Sequence, residues 1–481
     1  MNRDSIKKNY LYNISYQVFM AIVPLITTPY ISRILEIDGI GIYSYTYSIV
    51  RYFWLFSVLG TATYGLRIIG ISQEDLEERS YKFWNLFLLK AFLSTVGIFC
   101  YIFYTVKFAD NRNIALIQGI YLLAAMIDIS WFYQGMENFK KITIKNFIIK
   151  IMNVIFIFLF IKKKDDLILY TFGLAFFQFI GNFSMWWNLK KYIKKVKINK
   201  LNPFRYLKVC LELFFPSISA QIFSVIDKSM IGWITKDPIE NGYYEQAMKI
   251  IDVSLVFITT LGTIMVPRVA RNYKEGKKQD IESSLDQSLI FTYFLGFPMM
   301  FGIIGISEKF VPLFFGNGYE KSIIILGILS FLYIFMGINA ITGTQYMIST
   351  GQQKKHTVFL FISGCVNIIL NYILIKKYSS IGAAVASVIG EIALTVMEIT
   401  YLYKTKQYNA FRSLRFAVSY ILASLIMFVC IRFIIKDIHS LIGLMILIIF
   451  SFGIYIISLI VFRDKFVINQ INNLKIKMKG K

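Results

Sequence analysis

Apolar runs of about 20 residues follow one another along the chain, separated by short polar stretches. From Leu11 to Phe462 these runs are long enough to cross a hydrocarbon core of about 30 Å. Centres near residues 21, 54, 94, 123, 152, 178, 221, 255, 296, 333, 366, 391, 424 and 450 predict about fourteen transmembrane helices. Lipid offers the backbone no hydrogen-bonding partner, so apolar spans of this length must satisfy their amides internally, as helices. The fold class is therefore all-α integral membrane protein. Composition agrees, with 56% hydrophobic residues and a mean hydropathy of +0.58, more apolar surface than a soluble domain can hide.

A second pattern lies over the first. Gly41-Ile42-Tyr43 and Gly242-Tyr243-Tyr244 open two spans 201 residues apart. Leu59-Gly60-Thr61 returns as Leu261-Gly262-Thr263 with a one-residue slip, and Arg67 returns as Arg268. The shared order points to two related halves of roughly 200 residues, and internal repeats in membrane chains usually flank the substrate path.

Charge refines the topology. The net charge of +24 would suggest an acidic partner or nucleic acid in a soluble protein. Here, with the N-terminus inside, roughly two thirds of the 52 Lys and Arg fall in cytoplasmic segments, as the positive-inside rule requires. Lys190 to Lys208 alone carries eight of them. Arg268 to Asp286 and the tail after Arg463 are also basic, so these runs read as orientation signals near anionic lipid and no nucleic-acid partner is expected. Lys162-Lys163-Lys164 falls on the external side against the rule, followed by Asp165 and Asp166.

Catalytic chemistry finds little support. Cys100, Cys210, Cys365 and Cys430 are scattered without paired spacing, arguing against a disulfide framework or a metal site. His356 and His439 sit near span ends, far apart, and read as structural. No Walker loop, nucleophile elbow or His-Glu-x-x-His pattern occurs. Met1 to Asn9 is polar, and Pro24 and Pro29 stand where a cleavage site would follow the first apolar run, so no cleavable signal peptide is expected. External loops are short, unlike those expected of a membrane glycosyltransferase or polymerase. The chain reads as a transporter, without enzymatic activity or a bound cofactor.

Charges inside spans then carry the functional reading, since each costs at least a few kcal/mol unless it meets water, a partner or a ligand. The basic candidates for substrate binding are Arg51, Lys90, Lys228 and Lys249, and Lys150 has Asp128 as a potential counter-charge. Asp128, Asp227, Glu245 and Asp252 are candidates for coupling to a proton or sodium gradient. Glu245, Lys249 and Asp252 lie at i, i+4 and i+7 on one helix face, and the repeat sets them against Ser44, Ser48 and Arg51. Arg51 suits an anionic headgroup because its guanidinium stays charged and donates paired hydrogen bonds to phosphate oxygens. The competing reading is an internal ion pair, Arg51 with an acid such as Asp252, or Lys249 with Glu245. Glu391 lies nearer the membrane centre and suits a protonatable or packing role, whereas Glu398, near a cytoplasmic helix end, is expected to snorkel. Tyr43, Tyr45, Tyr47, Tyr52 and Trp54 crowd the second span, where packing and interface anchoring compete with stacking on sugar rings. Pro24, Pro29, Pro216 and Pro298 suit bent, hinge-like spans.

Several runs together resemble the Wzx-type bacterial polysaccharide flippases. Pro29-Tyr30-Ile31-Ser32-Arg33-Ile34-Leu35, followed by Gly39 and Gly41-Ile42-Tyr43, is similar to their first hairpin. Ile226-Asp227-Lys228-Ser229-Met230-Ile231-Gly232, then Gly242-Tyr243-Tyr244 and Ala247-Met248-Lys249, is similar to the start of their second half. Gly351-Gln352-Gln353-Lys354, Asn367 with Leu370-Asn371, and Gly382-Ala383-Ala384 with Glu391 resemble their later spans. Glu36 departs from the pattern, because a glycine commonly follows the leucine there.

The resemblance implies a V of two pseudo-symmetric six-helix bundles, residues 1–190 and 207–404, joined by a basic cytoplasmic linker, 191–206, and followed by two additional spans and a basic cytoplasmic tail, 405–481. It further implies alternating access and an undecaprenyl-diphosphate-linked oligosaccharide repeat unit as substrate, carried from the inner to the outer leaflet of a bacterial cytoplasmic membrane for capsule, O-antigen or exopolysaccharide. Partners would then be this lipid-linked oligosaccharide, membrane lipids, and a polysaccharide polymerase with its assembly proteins. A cation-coupled multidrug exporter and a non-transporting assembly scaffold are the alternatives.

Overall fold

The computed structural model describes Phe19, residues 22–470 and Asn472, with side chains throughout except at Ile198 and 215–224. Met1–Asn9, much of the first expected span and the end of the basic tail lie outside the described residues. All regular structure among these residues is helical, and 11 helices are long and apolar enough to cross a membrane. The chain is a multi-pass membrane protein. It divides into two compact units, Met1–Gly242 and Tyr243–Lys481.

The first unit contains α1 (22–34), α2 (Glu36–Val58), α3 (Thr61–Ile71), α4 (Leu76–Phe108), α5 (Arg112–Gln118), α6 (Ile120–Ile127), α7 (Ser130–Gly135), α8 (Phe139–Phe160), α9 (Leu167–Ser184) and α10 (Leu207–Thr235). α2 packs on α4, α6 and α10, while α3 packs on α7. Asp75 starts α4 by accepting from the Glu77 and Glu78 amides at 2.8 and 2.9 Å, satisfying donors that a helix start leaves open. An aromatic core around Phe83, Trp131, Phe132, Tyr133 and Trp186 fills the space between α4, α7 and the end of α9.

Glycines set the closest approaches. A Cβ on Gly41 would stand 1.7 Å from the Pro238 carbonyl oxygen, and one on Gly242 would stand 2.3 Å from that of Ile37. The two glycines that mark the repeat thus press the same pair of backbones together. Glu36, where the resembling family has glycine, takes a φ of 56°, the left-handed region that glycine occupies without strain. Its carboxylate meets Lys164 Nζ at 2.7 Å, and Asp38 meets the same ammonium at 3.0 Å. The lysine run that departs from the expected charge distribution is therefore partly neutralised where it lies.

The second unit begins within α11 (Pro238–Lys274) and continues with α12 (Lys278–Phe315), α13 (Glu320–Leu329), α14 (Leu332–Asn339), a π-helical segment (Ala340–Ile348), α15 (Gln353–Lys404), α16 (Phe411–Ile434) and α17 (Leu441–Val461). α15 is two helices that meet at Ser379, whose φ of 52° and ψ of −132° break the ladder. α12 packs along α16, and α13, α14 and the π segment pack on α15.

Candidate functional site: two buried polar seams

In the first unit, the span from 112 to 135 is broken at Asp128, whose φ of −68° and ψ of 117° are extended. The Phe132 amide bonds to Ile129 O at 3.0 Å, so it does not take up the Asp128 carbonyl as a continuous helix would. Lys90, 2% exposed in the middle of α4, donates to that carbonyl at 2.6 Å. The Asp128 carboxylate accepts from the Ser130 amide at 2.9 Å and the Ser130 hydroxyl at 2.5 Å. Lys145, buried on α8, donates to Ser130 Oγ at 3.0 Å and to Asn182 Oδ1 at 3.1 Å. Asn182 in turn donates to the Ala124 carbonyl at 2.8 Å. Four spans thus meet at two ammonium groups and one carboxylate.

Sequence reading placed Lys90 and Asp128 inside spans but offered Lys150 as the partner of Asp128; the structure corrects this. Lys145 reaches the aspartate through Ser130, and five residues of helix turn Lys150 about 140° away from that face. Lys145 and Asn182 were missed because no local pattern links residues 37 apart in the chain.

The other candidates lie on three helices. Arg51 stacks its guanidinium on Trp54, 4.3 Å from the ring centroid. Next to Lys228, Tyr52 and Ser229 share a hydroxyl hydrogen bond at 2.7 Å, and Asp227 is buried. In the amide orientation that satisfies both neighbours, Asn241 donates to the Lys228 carbonyl at 2.8 Å and accepts from the Gly232 amide at 3.0 Å. Lys249 stands 3.6 Å from Glu245, the local pairing weighed against ligand binding. Arg51 belongs to the first unit and Asp252 to the second. Tyr43 and Tyr47 pack with Tyr121, the Tyr43 and Tyr121 hydroxyls lying 3.1 Å apart.

The second unit holds a seam of opposite character. Asn339, at the end of α14, donates to Glu391 Oε2 at 2.6 Å and accepts from Thr395 at 2.7 Å. One turn on, Thr342 and His356 bind the two oxygens of Glu398, His356 Nδ1 lying 2.6 Å from Oε1. Glu398 is 0% exposed, so the expected snorkelling does not occur. Glu391, Thr395 and Glu398 share one face of α15 by helical spacing, which turns Glu398 inward toward the π segment. His356 lies against Glu398 and not apart from other polar groups. The signal that could have found the pair is the spacing of Glu391 and Glu398, since a glutamate two turns from an inward-facing one shares its side.

With the geometry in place, similarity to known proteins is informative. Residues 6–273 match the family model described as "Polysaccharide biosynthesis protein", and residues 213–373 match the MatE model. The chain is 20% identical over 410 residues to a putative O-antigen transporter of Escherichia coli (strain K12), covering 84% of this chain and 98% of that protein. It is 24% identical over 410 residues to the capsular polysaccharide biosynthesis protein CapF of Staphylococcus aureus, covering 82% and 99%. Its fold is similar to that of a lipid II flippase MurJ structure, with a TM-score of 0.74 at 20% identity over 95% of this chain and 100% of that one. A family model spanning more than half of the residues settles membership: the chain belongs to the polysaccharide biosynthesis protein family.

Proposed function

We propose that this protein is a flippase that carries undecaprenyl-diphosphate-linked oligosaccharide repeat units from the inner to the outer leaflet of a bacterial cytoplasmic membrane, by alternating access and with both termini cytoplasmic. The observation that carries the reading is a membrane-embedded seam in which two buried lysines outnumber their one carboxylate, in a chain whose relatives are named for O-antigen transport and capsule synthesis. A surplus of buried positive charge is costly without an anion to meet it, and a diphosphate is such an anion. Arg51, Lys90, Lys228 and Lys249 are the proposed diphosphate contacts. Stacking on Trp54 uses the face of the Arg51 guanidinium, and phosphate binding uses its edge. Asp128, Asp227, Glu245 and Asp252 are the proposed groups for coupling to a proton or sodium gradient. No chemical step is required of the protein, which acts as a carrier and not as an enzyme, handing its cargo to a polymerase and assembly proteins.

The test is translocation of lipid-linked oligosaccharide in proteoliposomes. Arg51→Ala is expected to slow it by about tenfold, the equivalent of one charge-assisted hydrogen bond, with Arg51→Lys in between. Full-rate translocation by folded Arg51→Ala removes the diphosphate contact, and no translocation by wild type under any ion gradient removes the flippase reading. The MatE match over residues 213–373 favours one alternative, a cation-coupled multidrug exporter. Efflux of a cationic dye by wild type without oligosaccharide translocation would establish it.

A further inference from the structure

The seam of the second unit contains more chemistry than packing requires. Glu398 lies wholly inside the protein and accepts at both oxygens, from the Thr342 hydroxyl at Oε2 and opposite His356 Nδ1 at Oε1. The opposing backbone is a nine-residue π helix, Ala340–Ile348. Gly343 in that segment is what admits the pair: a Cβ there would fall 2.4 Å from His356 Cε1 and 2.9 Å from Glu398 Oε1. π-helical turns are rare and frequent at functional sites, and a shift of this segment to ordinary i→i+4 bonding would rotate everything beyond it. Neither amide atom of buried Gln345, in the same segment, meets a hydrogen-bonding group among the described residues, and an unpaired buried amide favours rearrangement.

The hydrogen bonds also accommodate more than one protonation state. Thr342 Oγ1 lies within reach of both Glu398 and the Ile338 carbonyl, the latter at 3.0 Å. With Glu398 ionised, the hydroxyl donates to the carboxylate. With a proton on Oε2, the carboxyl donates to Thr342, which then donates to Ile338. Each state is satisfied, and each holds the π segment differently at Thr342.

Few other charges can take over the role. From Ser322 to Ile348, α13, α14 and the π segment carry none. α15 adds Glu391, bound to Asn339, together with Lys354 and Lys355, the latter held over the Tyr401 ring at 4.4 Å. α12 adds Glu282 and Asp286, the latter accepting from Tyr408 at 2.6 Å. α11, joined to the segment's end by the Ser349 bond to Val266 O, adds Arg268 and Arg271.

We propose that His356 and Glu398 form a proton-binding site whose occupancy sets the conformation of the π segment, so that translocation responds to protonation at this site. The link to translocation rests on the flippase reading; proton binding itself does not.

The chain has only two histidines, so labelled imidazoles report on it directly. In protein carrying 13C,15N-histidine in lipid nanodiscs, Glu398→Gln is expected to move the His356 titration by about one pH unit or more while His439 stays put. Thr342→Val, which keeps side-chain shape, serves as a second variant with a smaller shift should Glu398→Gln misfold. A His356 signal that titrates identically in wild type and in the folded variants overturns the site. In proteoliposomes, wild-type translocation is expected to change severalfold under an imposed pH gradient, and Glu398→Gln and His356→Gln to lose that response. Translocation that follows the gradient equally in all three overturns the coupling. Absence of translocation in wild type defeats the flippase reading, and the imidazole titration then decides the proton site alone.

Discussion

The two polar seams are built alike and charged oppositely. Each lies where a membrane helix departs from regular α geometry, at the Asp128 break in one unit and at the π segment in the other. The first gathers two lysines around one aspartate; the second gathers two glutamates and a histidine among neutral donors. Irregular backbone frees carbonyls and makes room for side chains that a continuous helix would exclude, so it is where a bilayer protein can afford polar groups. The difference in sign gives the first seam a surplus of ammonium groups and the second a surplus of carboxylates.

Breaking the first seam should have the largest effect. Asp128→Leu keeps the backbone carbonyl that Lys90 uses but removes the acceptor of the Ser130 amide and hydroxyl and the one negative charge beside two buried ammonium groups, and stranding buried charge costs about 3–5 kcal/mol. Loss of the folded protein, read as a missing gel-filtration peak and a collapsed melting transition, is the expected outcome; Asp128→Asn, which removes the same charge but keeps an acceptor for the Ser130 amide, should fold with a lowered melting temperature. A stable Asp128→Leu protein would show that the lysines do not depend on the aspartate. Next comes the glycine contact that the repeat marks. Gly41→Ala drives a Cβ toward the Pro238 carbonyl oxygen, and overpacking of this kind costs about 1–3 kcal/mol. Differential scanning fluorimetry should report a clearly lowered melting temperature, whereas Gly70→Ala, whose nearest neighbour is 3.8 Å away, should match wild type. The smallest effect belongs to Glu36→Gly. Relief of a left-handed residue, about 1 kcal/mol, offsets loss of the exposed Lys164 contact, leaving the melting temperature unchanged or slightly raised. A pronounced fall would make the ion pair, not the turn, the reason for the glutamate.

The repeat shows how far sequence similarity carries. Leu59-Gly60 ends α2 and starts α3, both residues taking positive φ, while Leu261-Gly262 lies within unbroken α11. In the first copy Gly60 lies against the Cys210 carbonyl oxygen, 2.5 Å from where a Cβ would stand; in the second, Gly262 lies against the Ala340 carbonyl oxygen, 2.9 Å from where a Cβ would stand. The same dipeptide serves a helix break in one copy and a close helix contact in the other, because neighbours decide which freedom of glycine is used.

Sequence alone determined that the chain crosses a membrane as helices, and that Lys90, Asp128 and Asp227 are charges held inside those helices. These follow from the cost of exposed backbone and of unpaired charge in hydrocarbon, and that cost is written in composition and spacing. Only the tertiary structure decided partnership. Lys90 finds a backbone carbonyl freed by a helix break, Lys145 reaches Asp128 through a serine, and Glu398 turns inward to meet His356. Such pairings join residues tens of positions apart, and their geometry depends on where helices bend and how closely glycines let them approach, which no local pattern specifies.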